Sequence, residues 1–200
     1  GVLENWGLDP DSMRSENPNL IYARISGFGQ TGPYAEKAGF ASACEAISGF
    51  RYVNGFPGEP PVRPNLSLGD TVSGLHAVLG VLMALRSRDQ GNGGQVVDVA
   101  LYESMFNLLE AVVPEYDGAG EIREPSGTTV TGIVPTNTYE CKDGKFLVIG
   151  GNGDSIFVRL MHAVGRIDIA ENSKYATNTD RVIHQRFLDD VLEEWCKNQT

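Results

Sequence analysis

The sequence predicts an α/β protein with a parallel sheet, followed by a smaller α+β domain. Strand and helix patterns alternate through residues 1–113. This order is typical of parallel sheets, because parallel strands need a long crossover connection. Residues 135–200 begin instead with a β-hairpin signature and continue as helices. The polar segment 114–134 has no sustained period, and we interpret it as a linker or an active-site loop.

The first domain begins with a strand and a short helix. Residues 20–26 alternate apolar and polar side chains and predict a strand that leads into a glycine-containing loop. Residues 35–49 are rich in small side chains and predict a helix that ends at Gly49. Residues 54–64 are dense in Gly and Pro, so we expect a loop there.

The most apolar segment of the first domain is residues 71–88. It is apolar on nearly every face until Arg86, which predicts a helix that lies in the core. Residues 95–101 then predict a second strand and residues 102–113 another helix. In this order the two strands are expected to pair in parallel.

The second domain is expected to begin with a hairpin. Two β-rich runs flank a Lys-Asp-Gly turn within residues 139–149. Residues 156–164 and 181–197 then predict helices.

The composition narrows the class of protein. The 200 residues carry a formal net charge of −10, which argues against a general nucleic-acid binder. The best membrane candidate, residues 75–85, is too short to span a bilayer, so no membrane partner is expected. The odd number of cysteines and their lack of metal-ligand spacing favour a reducing compartment, the cytoplasm or alternatively the mitochondrial matrix. These cysteines are Cys44, Cys141 and Cys196.

A single carboxylate precedes the apolar helix. Asp70 lies directly before the predicted first helical residue, at the end of the segment Pro64–Gly69. Unpaired backbone N–H groups and the positive end of the helix dipole favour a negative charge at this point. Such a carboxylate can cap the helix or act as a nucleophile, and its position alone does not decide between these roles.

Five blocks of sequence resemble the family III CoA-transferases, and they occur in the family order. In that family the Asp of the Gly-Asp pair before the long helix is the nucleophile, so the resemblance implies this role for Asp70. It also implies exchange of CoA between an acyl-CoA thioester and a free carboxylic acid. CoA is then a substrate, and no permanently bound cofactor or metal is expected. The blocks are residues 1–8, 17–40, 61–85, 91–109 and 139–150.

The resemblance also has implications for assembly and substrate. The large domain would be part of a Rossmann-like fold, and the subunits would form an interlocked homodimer. The chain would be the middle of a longer protein whose N-terminal segment completes that fold and part of the CoA site. Residues 132–135 and 172–181 are most similar to members that act on dicarboxylic acids.

The resemblance places a glycine turn and two side chains near CoA. Glycines lack side chains that would keep backbone N–H groups away from a ligand. Lys37 resembles a family lysine near CoA, although a solvated helix charge explains it equally well. Trp6 lies where relatives contact the adenine or a phosphate, and the neighbouring Asn5 replaces a charged residue there. The glycines are Gly27, Gly29 and Gly32.

The same glycines match the G-x-G-x-x-G pattern of dinucleotide-binding loops. That alternative requires an acidic residue about 20 residues further on, at the end of a second strand. Glu45 has roughly this spacing but lies in a helix-like segment, and Pro33 fits a tight loop as well as a helix start.

Two further features are candidates for substrate handling. Residues 126–132, with Gly127 and Gly132, hold the place of a family loop that closes over the nucleophile; an ordinary linker is the alternative. Arg63 precedes Asp70 and could hold the carboxylate of an acid substrate, with packing or a surface ion pair as the alternative.

Other roles for the chain remain open at this point. The related α-methylacyl-CoA racemases use a His in an Ala-Gly-His triplet, and Phe40 stands in its place here. His76 lies within the apolar helix and is expected to be a hydrogen-bonded core residue. A racemase of this type needs both a His and an Asp to move the proton at the α-carbon. Because no His is expected opposite Asp70, the sequence favours the transferase over a 2-methylacyl-CoA racemase. A catalytically silent CoA-binding fragment is the other alternative.

Glu103 lies at the start of the helix predicted for residues 102–113. We interpret it as an acid that complements the dipole of this helix.

Overall fold

The computed structural model covers residues 1–200 and divides into two compact units. Unit 1 comprises Gly1–Asn54 and Pro61–Ile122. Unit 2 comprises Gly55–Pro60 and Arg123–Thr200.

Unit 1 contains a two-stranded parallel sheet. Strand β1 (Tyr22–Ser26) pairs with β2 (Val96–Ala100) along its full length, which confirms the predicted parallel pairing. Because the strands are parallel, both end at the same edge of the sheet. The chain leaves β1 there through Gly27, whose carbonyl accepts a hydrogen bond from the Tyr102 amide at 3.2 Å.

The helices of unit 1 differ from the prediction in their bounds. Residues 35–40 form a turn and irregular backbone instead of helix, so the helix predicted for residues 35–49 is confined to a shorter segment. The helix predicted for residues 102–113 ends early, and another helix occupies part of the segment interpreted as a linker. The helices are α1 (Val2–Asn5), α2 (Pro10–Glu16), α3 (Ala41–Ile47), α4 (Phe50–Val53), α5 (Leu68–Ser87), α6 (Leu101–Phe106) and α7 (Val112–Ala119).

Helix α5 packs through its small residues, and the prediction that it is a core helix is wrong. It contacts β1, β2, α3 and α6, and a two-stranded sheet with these short helices covers only one of its faces. The large apolar side chains on the other faces are exposed. The buried residues are Gly69, Ser73, Ala77 and Ala84, and the exposed ones include Leu75, Val78, Leu79, Leu82 and Met83.

The helical segment Leu68–Asn92 is long and apolar enough to cross a membrane, by length and composition. The sequence predicts that the best membrane candidate, residues 75–85, is too short to span a bilayer. The helical segment in the structure is longer than that candidate. A single helix of this kind is weak evidence for a membrane span, because core helices of soluble proteins meet the same criteria.

Unit 2 combines an antiparallel hairpin with four α-helices. Strands β3 (Thr136–Glu140) and β4 (Phe146–Gly150) pair as predicted around the Lys-Asp-Gly turn. The helix predicted for residues 181–197 is interrupted at His184, which has non-helical backbone angles (φ −113°, ψ 18°). The helices are α8 (Asp154–Ala163), α9 (Ile167–Ala170), α10 (Asn178–Ile183) and α11 (Gln185–Cys196).

Candidate active site

Asp70 lies inside the first turn of α5, not ahead of it. The helix begins at Leu68 with Ser67 as its N-cap residue, and no side chain caps it by a hydrogen bond. The interpretation of Asp70 as an N-cap is therefore wrong. Its side chain is exposed, and in the first turn its negative charge complements the positive end of the helix dipole.

A cavity of about 510 Å³ lies just before α5. Its lining runs from Arg63 to Ser67 and ends within one helical turn of Asp70, which is not itself a lining residue. Arg63 is exposed, and its guanidinium offers a planar set of donors that matches a carboxylate. The cavity thus combines one cation with the polar start of a helix.

The first turn of α5 is held by a buried carboxylate that the sequence analysis did not place in the site. Glu45 on α3 is fully buried. Its Oε1 accepts a hydrogen bond from the Gly69 amide at 3.2 Å, and its Oε2 lies 2.8 Å from Arg51 Nη2. The sequence does contain one signal for this buried carboxylate: Glu45 is the only acid among the small residues of α3, and Arg51 follows it.

The position of Glu45 also excludes the dinucleotide interpretation. Its carboxylate is engaged with Gly69 and Arg51 inside unit 1 and cannot reach a ribose. No helix begins directly after Gly32, since α3 starts only at Ala41, so the glycine turn lacks the helix N-terminus that holds a pyrophosphate in that motif.

Cys44 precedes Glu45 on α3. It is buried, and its Sγ donates to the Gly27 carbonyl at 3.3 Å. Burial raises the pKa of the Cys44 thiol, and the negative charges of Asp70 and Glu45 raise it further.

The glycine turn has two different reasons for its glycines. A Cβ on Gly27 would lie 2.6 Å from the Gly39 Cα, so close packing excludes any side chain there. Gly29 and Gly32 instead adopt left-handed backbone angles (φ 80° and 88°), and Gly32 faces open space. Packing therefore accounts for Gly27, and left-handed backbone angles account for Gly29 and Gly32.

A second cavity, of about 340 Å³, lies at the end of β2. His76 lines it, with Nδ1 2.9 Å from the Val72 carbonyl oxygen and Nε2 3.3 Å from Asn107 Nδ2. The expected hydrogen-bonded histidine is confirmed, although it is half-buried. The exposed Glu103 also lines this cavity and accepts a hydrogen bond from the Tyr102 hydroxyl.

The two side chains expected near CoA are both exposed. Lys37 Nζ lies 3.9 Å from the centre of the Tyr34 ring, a cation–π contact that restricts the lysine. Trp6 follows α1 and is 69% exposed.

Gly127 and Gly132 belong to unit 2. The Gly127 amide donates to the Gly55 carbonyl at 2.8 Å, and its backbone is left-handed (φ 69°). The Gly132 carbonyl accepts from Asn178 Nδ2 at 2.8 Å. The segment is thus tied by hydrogen bonds at both glycines.

The sequence matches the family described as CoA-transferase family III over residues 1–200. The chain belongs to CoA-transferase family III. It is 45% identical over 200 residues to a succinyl-CoA–D-citramalate CoA-transferase of Chloroflexus aurantiacus, covering all of this chain and 50% of that protein. It is 39% identical to the beta subunit of a succinyl-CoA–L-malate CoA-transferase of the same organism, again covering all of this chain and 50% of that protein.

The fold also matches a solved structure. A CaiB/BaiF family protein from Brucella suis superposes with a TM-score of 0.79 and 32% identity, over all of this chain and 53% of that one. The chain thus spans about half the length of the relatives that it matches.

Proposed function

We propose that this chain carries the nucleophile of a CoA-transferase that moves CoA between an acyl-CoA thioester and a free dicarboxylic acid. The observation that carries the proposal is the position of Asp70. It is the acid of the family's Gly-Asp pair, and it is exposed in the first turn of α5, next to a cavity that contains Arg63.

In the proposed chemistry a carboxylate oxygen of Asp70 attacks the thioester carbonyl carbon. The carbon–sulfur bond breaks, CoA leaves as a thiolate, and a mixed anhydride forms on Asp70. The thiolate then attacks the Asp70 carbonyl carbon and releases the donor acid, which leaves an aspartyl-CoA thioester. The incoming carboxylate repeats both steps in reverse order, so CoA moves to the acceptor without net proton transfer.

The helix start supports this chemistry electrostatically. Each step forms an oxyanion close to the first turn of α5, where backbone N–H groups and the helix dipole favour negative charge. An anhydride hydrolyses readily, so the reaction also requires exclusion of water. The family resemblance implies this cover for the loop that contains Gly127 and Gly132, and that role stays a prediction.

The dicarboxylic class is supported by the names of the relatives and by Arg63. The two enzymes described above are named for succinyl-CoA together with D-citramalate or L-malate. An acceptor with two carboxylates can react through one while the other pairs with the Arg63 guanidinium. For CoA itself, we propose that Gly29, Gly32, Lys37 and Trp6 contribute to binding of the nucleotide portion.

The assembly is proposed on the same basis. The parallel pair β1–β2 with its crossover helices supports a Rossmann-like large domain in the full-length protein. We propose an interlocked homodimer; because one relative is named as a beta subunit, a hetero-oligomer is the outcome that would replace it.

Trapping the acyl-enzyme tests the proposal. The full-length protein is incubated with succinyl-CoA and hydroxylamine, and its peptides are analysed by mass spectrometry. A hydroxamate on Asp70, formed only when acyl-CoA is present, is the expected result. Turnover with an unmodified Asp70 would remove the covalent route, and solvent deuterium uptake at the α-carbon of a 2-methylacyl-CoA without an acceptor acid would indicate a racemase instead.

A further inference from the structure

Glu45 uses both carboxylate oxygens in contacts within unit 1. Oε1 accepts the hydrogen bond from the Gly69 amide, and Oε2 accepts from Arg51 Nε at 3.2 Å and Nη2 at 2.8 Å. Arg51 in turn donates to Ser42 Oγ at 2.6 Å. The acid thus connects α3 and α4 to the first residues of α5.

The backbone at Gly69 leaves little room between α3 and α5. A Cβ placed on Gly69 would lie 3.2 Å from the Ala41 Cβ and 3.4 Å from Glu45 Oε1. Gly69 is therefore held by packing on one side and by a hydrogen bond to its amide. Because Asp70 is the next residue, a fixed Gly69 restricts the backbone from which the Asp70 side chain projects.

We propose that Glu45 is a positioning residue that fixes the first turn of α5, through the Gly69 amide, and thereby aims the Asp70 carboxylate. The inference rests on the proposed function of Asp70. Arg51 contributes to this positioning, because its positive charge compensates the negative charge of the buried Glu45. Without Arg51, the Glu45 carboxylate would repel the nearby negative charge of Asp70.

A carboxylate is better suited to this position than a neutral acceptor. A glutamine could still accept the Gly69 N–H through its amide oxygen, but its NH₂ group would face the donors of Arg51. The hydrogen bond and the ion pair can therefore be separated by substitution.

The test compares three variants of the full-length protein in steady-state transfer from succinyl-CoA and in hydroxylamine trapping on Asp70. Glu45→Ala removes both contacts, and we expect kcat to fall about 10²-fold, the cost typical of a small misplacement of a reacting group. KM for succinyl-CoA should change less than about twofold, because the thioester-binding residues are untouched. Glu45→Gln keeps an acceptor for Gly69 and should recover part of the lost kcat.

Arg24→Met is the matched control, because it removes another ion pair of unit 1, at 2.6 Å from Glu4, without contact to Gly69. We expect unchanged kcat in this variant. Equal kcat losses in Arg24→Met and Glu45→Ala, or a wild-type trapping rate in Glu45→Ala, would overturn the positioning role. Should Glu45→Ala not fold, Glu45→Gln and Arg51→Lys decide, and wild-type kcat in both would overturn it. Absence of any hydroxamate on Asp70 in the wild-type protein would instead remove the proposed function itself.

Discussion

Each of the two units buries one charged side chain completely, and these two side chains differ in their hydrogen-bond partners. In unit 1, Glu45 faces a single backbone amide and one arginine. In unit 2, Arg181 donates to the carbonyls of Val134 and Tyr175 at 3.0 Å and pairs with Asp154 at 2.8 Å. Its guanidinium also donates to the Asn152 and Ala176 carbonyls and lies over the Phe157 ring.

This difference in surroundings is the basis for expecting different roles for the two side chains. Arg181 connects the start of β3, the start of α8 and the turn before α10, so its donors hold several segments together. Glu45 has fewer partners, and one of them is the residue next to an exposed acid. We therefore expect loss of Arg181 to affect stability and loss of the acids in unit 1 to affect catalysis.

The largest expected effect is on the chemistry of unit 1. Asp70→Ala should lower kcat by about 10⁴-fold or more, because no other group would replace the proposed nucleophile. CoA binding should be largely retained, and the thermal midpoint should stay close to that of the wild-type protein because the side chain is exposed. Transfer assays and calorimetry on the full-length protein measure the three quantities.

Glu103→Ala is the control for Asp70→Ala, because Glu103 is also an exposed acid in the first turn of a helix in unit 1. Its removal should leave turnover within about twofold of the wild-type value. Equal activity of the two variants would show that Asp70 only complements the dipole of α5, as in the catalytically silent alternative.

The next effect is on the stability of unit 2. Arg181→Met removes the charge but fills similar space, and it leaves several buried carbonyls without donors. We expect a loss of about 3–5 kcal/mol in the free energy of unfolding, because each buried acceptor left without a donor costs about 1–3 kcal/mol. Hydrogen exchange should show the loss in the amides of β3 and α10. Unchanged protection there would contradict a structural role for Arg181.

The parallel pair β1–β2 and the hairpin β3–β4 were predictable because their signals are local. The first strand alternates along residues 20–26, and the hairpin surrounds a Lys-Asp-Gly turn. The break at His184 was not predictable, because the surrounding sequence contains no Gly or Pro and continues an amphipathic pattern.

The site was predictable only in part. The family resemblance predicts Asp70 as the nucleophile, and this role stays a prediction. The sequence pattern places the start of α5 at residue 71 instead of Leu68, because Ser67 gives no side-chain cap and Gly69 disfavours a helix by propensity. The amide of Gly69 is satisfied by Glu45, 24 residues away in sequence. Such a long-range contact leaves no pattern in the segment that it stabilises. The exposed face of α5 was missed because uniform hydrophobicity does not tell which side meets the sheet.

A smaller effect is expected at the hydrogen bond from the Tyr139 hydroxyl to Asp189 Oδ1, which spans 2.6 Å. Tyr139→Phe should lower the free energy of unfolding by about 2 kcal/mol, as for hydrogen bonds to charged groups. Burial raises the pKa of Tyr139, and Asp189 raises it further. The native state thus favours the neutral phenol, so this contribution is complete below the unfolded pKa of about 10 and is lost as the pH rises above it.

Urea titrations of both proteins at pH 8 and above pH 10 measure the Tyr139 contribution. The difference between wild type and Tyr139→Phe should be largest at pH 8 and should shrink at the higher pH. A difference that grows with pH would mean that the phenolate is the favoured form in the native protein.

The smallest expected effect concerns the helix that carries Arg181. The Thr177 hydroxyl accepts from the Asp180 amide at 3.3 Å, and the Asp180 carboxylate accepts from Thr177, which completes a capping box at the start of α10. Thr177→Ala should cost about 1 kcal/mol, the usual contribution of an N-cap. Hydrogen exchange should show weaker protection in α10, while transfer activity should stay near that of the wild-type protein.

Acid titration sharpens this last prediction. Hydrogen bonds from Thr177 lower the pKa of Asp180, so the carboxylate adds stability above its unfolded pKa and loses it as the pH falls through the lower native value. Thr177→Ala removes the hydroxyl that is the main cause of this shift, so the variant should lose less stability than the wild-type protein between neutral pH and acid. An equal loss of stability in the variant and in the wild-type protein would mean that groups other than Asp180 cause the sensitivity to acid. A fall in kcat in Thr177→Ala would contradict the comparison of Arg181 with Glu45, because a substitution in unit 2 that lowers stability would then also lower catalysis.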